Sequence, residues 1–418
     1  MVSIGVVALG AAAIQNCNAQ GDGKAWTISA ALRGFYDDNV NTSGGSGTAI
    51  DTFGFEVSPS LAYELPLDQT YLSLAYTFSY KYYEESPRAG TGDHDDMTHT
   101  IAAKLVHALS ESTSVTLRDS FVIGQEPDTL QNGFSADSPL RISGDNIRNH
   151  GAISLSHQFT PVIGVQVGYK NSLFDYDDET ALGYSAYLDR VEHHINLDGR
   201  WTLANNSVAI LGYAFAAGCY TGDQPITDDG DAVTTDELFS DSRNYNSHYV
   251  YGGLEHTFRP DLVGSVRLGA RFSDYYNSPA DESSTSPYAE ASLRYTYARD
   301  SSVEFGLRHD QSASDRFSIM GTSITTDSDT TVVYGALTHA ITPVLSGSLM
   351  GQFQNNNFNG GALDNETEQF FMLNAALRYQ FTPNIAGTLS YNYDNLDSDQ
   401  VNRGYDRNRV YLGAVFTY

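Results

Sequence analysis

The 418-residue chain has little positive charge. Its 23 Lys and Arg stand against 51 Asp and Glu, a net charge of −28. No basic patch is available for nucleic acid. Cysteine is almost absent, with Cys17 and Cys219 alone, so a site built from several thiolates is excluded. Mean hydropathy is −0.32, which excludes a bundle of transmembrane helices. No Gly-rich phosphate loop occurs, and acidic runs such as Asp175-Tyr176-Asp177-Asp178-Glu179 lack the glycine and spacing of an EF-hand.

What the chain does have is 28 Tyr, 37 Gly and a pervasive two-residue alternation. It is clearest in 370–392. Phe371, Leu373, Ala375, Leu377, Tyr379 and Phe381 share one parity; Met372, Asn374, Ala376, Arg378 and Gln380 share the other. After Thr382-Pro383-Asn384 the pattern resumes with Ile385, Gly387, Leu389 and Tyr391. Side chains alternate faces along a strand, so this is a hairpin with one apolar side.

The unit repeats at roughly 40 to 55 residues, the scale of a repeated architecture. An aromatic or histidine precedes a short turn at Tyr63, His107, His157, Trp201, His256, Tyr297, His339 and Tyr379. Eight short turns alternate with nine longer polar connections, near 38–51, 85–97, 125–146, 176–187, 220–243, 276–287, 314–329, 356–367 and 396–405. The pattern predicts an all-β fold: a closed transmembrane antiparallel β-barrel of about 18 strands, with 16 to 18 compatible. Short turns are expected on the periplasmic side and long acidic loops outside. The eight ring-bearing positions then form an interfacial girdle. A soluble propeller repeats at a similar period, but its connections are short at both ends.

If the apolar parity meets lipid, the other parity meets the lumen. Arg267, Arg271, Glu290, Arg294, Glu304, Arg308 and Arg378 are the expected pore-lining residues, with the arginines as a basic ladder. Asp119 breaks the parity. Loop 220–243, rich in Asp, is the preferred candidate to fold inward. Pro59 interrupts the second alternating run, which suggests a bulge or a strand near its end. Histidine clusters invite an enzyme reading: His94, His99 and His107 with Asp119, and His193 and His194 with Asp198. Neither carries a nucleophile motif, so no catalytic residues, metal or cofactor are expected.

Residues 1–19 read as a signal peptide, with an apolar run at 4–14 and cleavage after Ala19, although no Lys or Arg precedes the run. Residues 20–418 read as one outer-membrane β-barrel domain. The chain ends on alternating Val410, Leu412, Ala414, Phe416 and Tyr418. The signal-like start, Gly34-Phe35-Tyr36-Asp37-Asp38-Asn39-Val40, the repeated hairpins and this terminal strand together resemble the putative β-barrel porin 2 family of Gram-negative bacteria. The resemblance implies a diffusion or export barrel without catalytic residues. It implies Phe416 and Tyr418 as an assembly signal read by the barrel assembly machinery, and lipid and lipopolysaccharide as surroundings. A passive channel for small hydrophilic solutes or ions is the leading expectation. An acidic mouth favours cations weakly. A polysaccharide exit barrel and an adhesive barrel are the alternatives.

Overall fold

The computed structural model describes residues 25–44, 48–87, 93–125, 144–177, 184–222, 225–226, 238–280, 282–320, 323–400 and 403–418. The proposed signal peptide and most of 125–146 and 220–243 lie outside them. The strands are β1 (Trp26–Asp37), β2 (Thr52–Pro66), β3 (Thr70–Tyr83), β4 (Asp95–Ser110), β5 (Thr113–Gly124), β6 (Asn146–Gln158), β7 (Ile163–Tyr176), β8 (Arg190–Ala204), β9 (Ser207–Tyr220) and β10 (Tyr245–Arg259). They continue as β11 (Leu262–Asp274), β12 (Ser283–Ala298), β13 (Ser301–Ala313), β14 (Ile319–Met320), β15 (Ser323–Ile324), β16 (Asp327–Ala340), β17 (Leu345–Asn359), β18 (Thr367–Thr382), β19 (Ile385–Ser398) and β20 (Tyr405–Thr417). One helical turn, α1 (Tyr184–Leu188), precedes β8.

All but β14 and β15 belong to one antiparallel sheet of 18 strands, each paired with its neighbours along the chain. β1 pairs with β20, from Ser29 opposite Thr417 to Asp37 opposite Arg409, and the sheet becomes a barrel without edges. β14 and β15 form a small hairpin within the β13–β16 connection. The closing seam is held at both ends. Tyr418 and Ile28 exchange backbone hydrogen bonds of 2.8 and 3.0 Å, with Trp26 6.0 Å from the Tyr418 ring. At the other end the buried Arg407 donates to Asp37 at 2.5 to 3.1 Å.

The wall is inverted relative to a soluble sandwich. Leu32, Leu268, Phe305 and Leu412 are each exposed by 58 to 67% on the outside. Burying no such residues would be costly in water, and the belt therefore fits hydrocarbon. Three of the short turns share one device. Thr160, Thr342 and Thr382 each precede a proline, and each hydroxyl accepts from two backbone N–H groups beyond it, at 3.0 to 3.3 Å. This is why the Thr-Pro pair recurs.

Two local expectations need correction. β2 runs through Pro59 with no bulge. Val57 opposes Tyr80 and Ser60 opposes Thr77 in one unbroken register. Proline cannot donate to β3, so the pairs at Ser58 and Pro59 are simply missing while β1 still holds the strand. Asp95 and Asp96, expected in a loop, begin β4; Asp96 is buried and accepts from the Tyr83 hydroxyl at 3.0 Å.

Leu389 is exposed on the outer wall while Ser390 lies on the other parity. Leu389→Arg is expected to impair insertion into vesicles, at about 2 to 4 kcal/mol for arginine near the bilayer midplane, and Ser390→Arg to be tolerated. Urea unfolding of vesicle-inserted barrel compares them; equal stabilities would contradict the assigned faces.

Candidate functional site

All eight ring-bearing positions near the short turns lie on the outer parity. Tyr63, Trp201, Tyr297, His339 and Tyr379 are exposed, while His107, His157 and His256 are half-buried. The three half-buried imidazoles share one contact: Nδ1 lies 2.8 Å from a hydroxyl of the paired strand, on Thr70, Thr113 and Ser207 respectively. Outside them sit Phe159 and Phe258, in edge contact with His157 and His256 at 4.6 and 4.4 Å. Phe416 and Tyr418 are also exposed on this wall.

The inward face of β8 to β13 carries charges of alternating sign. Arg200 donates to Glu255 at 2.5 and 3.1 Å. Arg267 reaches Glu255 at 3.4 Å and Glu290 at 3.5 Å. Glu290 stands opposite both Arg267 and Arg308 in register. Arg308 pairs with Asp310 at 3.2 Å, and Arg294 with Glu304 at 3.9 Å. The sequence suggests a basic ladder here, but each of its arginines on β11 to β13 has a carboxylate partner. Arg271 is buried, donating to Ser247, Ser273 and the Gln311 carbonyl at 3.2, 3.0 and 2.6 Å, with Asp310 at 3.5 Å. It braces the wall. Arg378 stands apart, beyond β16 and β17, flanked in register by Ser346 and Thr388, and donates to Gln380 at 3.5 Å.

The band packs on a tyrosine cluster. Tyr251 donates to Asp198 at 2.5 Å by crossing Gly212, where a Cβ would stand 2.1 Å from the ring. Tyr249 and Tyr251 both contact Tyr288, with centroids 5.6 and 5.5 Å apart. Glu290, Arg294 and Arg308 nevertheless keep side-chain exposures of 44, 41 and 39%. Inward charges this exposed require water inside the wall.

Lys104 and Lys170 are cations that sequence reasoning missed, although both fall on the inward parity. With Arg118 they lie on β4, β5 and β7. Among the described residues none of the three forms an ion pair; Lys104 lies 5.6 Å from the Tyr71 ring centroid. Lys170 is exposed and stands opposite His194 of β8 in register.

The members of the histidine groupings have separate partners. His193 faces outward to the Tyr169 hydroxyl at 2.9 Å, and His194 faces inward beside Tyr249. His99 faces the Tyr76 hydroxyl, and Asp119 accepts from the Asn149 amide at 3.2 Å. Among the described residues no His, Cys, Asp and Glu cluster could hold a metal.

At the long-loop end, the connection 314–326 crosses the barrel. Its first residues contact the β7–β8 connection, where Phe317 lies 5.9 Å from Tyr187, and the β19–β20 connection, where Arg316 donates to Gln400 at 2.8 Å. Those connections are ten strands apart one way round and eight the other. Two arginines, the buried Arg243 and the largely covered Arg403, fix this strap. Arg243 donates to the Ser314 carbonyl at 2.6 Å and to the Tyr187 carbonyl at 3.1 Å. Arg403 holds Asp315 at 2.9 Å and also Glu368, whose carboxylates are both fully buried. Beyond the strap, Gly361 has φ of +66, and a Cβ there would meet the Ser318 carbonyl at 2.3 Å. Loop 220–243, the expected inward loop, is largely outside the described residues. The arginines of these loops have no periodic neighbours, so no pattern along the chain marks the latch.

A family model described as Putative beta-barrel porin 2 matches residues 328–418, nearly all of β16 to β20. No curated protein matches the chain. Among solved structures, the outer membrane protein opdK of Pseudomonas aeruginosa is similar at 11% identity over 94% of this chain and 99% of that one, with a TM-score of 0.45. OccAB3 of Acinetobacter baumannii is similar at 11% identity over 94% and 99%, with a TM-score of 0.42. The siderophore receptor PirA of Acinetobacter baumannii is similar at 8% identity over 95% and 81%, with a TM-score of 0.48.

Two outcomes are expected of the strap. Arg403→Met leaves two carboxylates buried without their cation, at about 3 to 5 kcal/mol, and should speed amide exchange in 314–318 by about 100-fold or more. Unchanged exchange would show that the latch does not hold the strap. Burial pushes the Asp189 carboxyl, which accepts from the Tyr176 N–H at 2.8 Å, up to about 6. An acid raised in the folded state stabilises it below its ordinary range, and that contribution is lost as pH rises through about 6. Exchange at Asp189, corrected for intrinsic rate, should therefore quicken from about pH 5 to about pH 7, and not in Asp189→Asn.

Proposed function

We propose that the chain is a passive outer-membrane channel for small hydrophilic solutes or ions. The observation that carries the reading is the exposure of Glu290, Arg294 and Arg308 inside a wall whose outside is apolar. Charged side chains keep water only where the lumen is open to it. The short turns face the periplasm and the long connections face outward. Lys104, Arg118, Lys170, Arg267, Glu290, Arg294, Glu304, Arg308 and Arg378 meet the permeating solute, and Arg271 supports them from within the wall. No residue is assigned a catalytic role.

The two walls act differently. Pairing cancels most of the far field of the β8–β13 band, whereas Lys104, Arg118 and Lys170 form no ion pair among the described residues. A zwitterion or a polar sugar meets donors and acceptors on one side and positive charge on the other. The strap favours small solutes over a polymer, because a chain leaving the barrel would have to pass a segment tied to opposite walls. The chain's net charge of −28 and the acidic sequence of its long connections favour cations at the mouth, while Lys104 and Lys170 oppose their passage below.

Lys104→Gln with Lys170→Gln should increase cation selectivity, read as reversal potential across a KCl gradient in planar bilayers. The shift should shrink at high salt, as the Debye length falls from about 10 Å at 0.1 M to about 3 Å at 1 M. A folded double variant with unchanged low-salt selectivity would remove both lysines from the permeation path. Swelling of loaded liposomes by small sugars tests permeation itself; no swelling by a folded, inserted barrel would contradict it.

A further inference from the structure

Eight of the 11 histidines lie on the outer parity: His99, His107, His157, His193, His248, His256, His309 and His339. The Nδ1 of every one lies 2.7 to 2.9 Å from a Thr, Ser or Tyr hydroxyl, on the adjacent strand for seven of them and, for His339, on Tyr297 of β12, one strand further round. The chemistry of that contact favours one tautomer. A phenol is a better donor than acceptor, and a Thr or Ser hydroxyl that donates to the imidazole satisfies its own proton on an apolar wall. The Asn171 amide, which can only donate through its nitrogen, also reaches the His193 Nδ1 at 3.2 Å. With Nδ1 accepting, the neutral ring carries its proton on Nε2, the nitrogen that the hydroxyl does not engage.

These rings form two tiers. His99 and His107 are eight residues apart on β4, as are His248 and His256 on β10. Eight residues span about 26 Å of strand. At a tilt of about 40° this is about 20 Å of height, close to the roughly 25 Å apolar band of an outer-membrane barrel. Arginine is scarce at the short-turn rim, where Arg259 and Arg299 are already paired with Asp261 and Asp300.

We propose that the outward imidazoles donate Nε2–H to phosphate oxygens of membrane lipid headgroups, one tier at each rim, and so fix the height at which the barrel sits. The inference rests on the membrane-spanning reading but not on conduction. Neutral donors recognise the phosphate itself, without requiring a net anionic lipid. The test uses wild-type protein, ¹⁵N-labelled in its imidazoles and folded into vesicles of phosphatidylethanolamine and phosphatidylglycerol. Solid-state ¹⁵N–³¹P dipolar dephasing is measured. Protonated Nε2 signals that lose intensity are expected. Nδ1-protonated rings, or Nε2 signals that do not dephase, would overturn the inference. A chain that does not float with the vesicles would overturn the spanning reading as well, whereas flotation without dephasing overturns the donors alone. In the second arm, His107→Phe, His157→Phe, His256→Phe and His339→Phe are combined, keeping the rings and removing the donors. Phospholipid retained through detergent purification should fall about fivefold per site. Retention equal to wild type would overturn the proposal.

Discussion

Everything in this molecule depends on pairing backbone polar groups where no water can serve them. In hydrocarbon an unpaired N–H or C=O costs several kcal/mol, so a sheet survives there only if it has no edge. The pairing of β1 with β20 removes the edge. Once closed, each strand has an outside and an inside fixed by parity, and one-residue slips would exchange them. The Asp37–Arg407 pair and the Trp26–Tyr418 contact lie at the two ends of the seam and hold that register where β1 and β20 meet.

Closure leaves a problem on the inside. An 18-strand circumference is too wide for side chains to fill, so inward charges either pair or stay hydrated. Both occur. Arg271 and Asp310 are buried together, while Glu290 and Arg308 remain wet. Tyr249, Tyr251 and Tyr288 thicken the wall that carries the paired charges. The strap narrows the lumen from above. Selectivity would then come from a narrowed, asymmetric section rather than from a ring of one sign.

Parity made the wall legible. Phe371 to Phe381 and the terminal Val410 to Tyr418 are enough to assign faces, and the same rule places Lys104 and Lys170 inside, where they could have been found. Thr382-Pro383 marks a turn because threonine's hydroxyl caps the N–H groups that proline's geometry leaves open. What alternation cannot show is which charges meet. Arg308 is two residues from Asp310 in sequence, yet Arg271 reaches the same carboxylate from β11. The strap was illegible for the same reason: Asp315 and Arg403 are 88 residues apart in irregular segments, with no period to join them. Pro59 misled because a closed barrel holds a strand from both sides, so one missing donor does not break it.

The most direct measurement is single-channel current through the wild-type barrel in a planar bilayer. A hydrated lumen predicts discrete, ohmic conductance steps that grow with salt concentration and persist at low voltage. A barrel shown to be folded and inserted, but passing no current at any salt concentration, would contradict a water-filled passage.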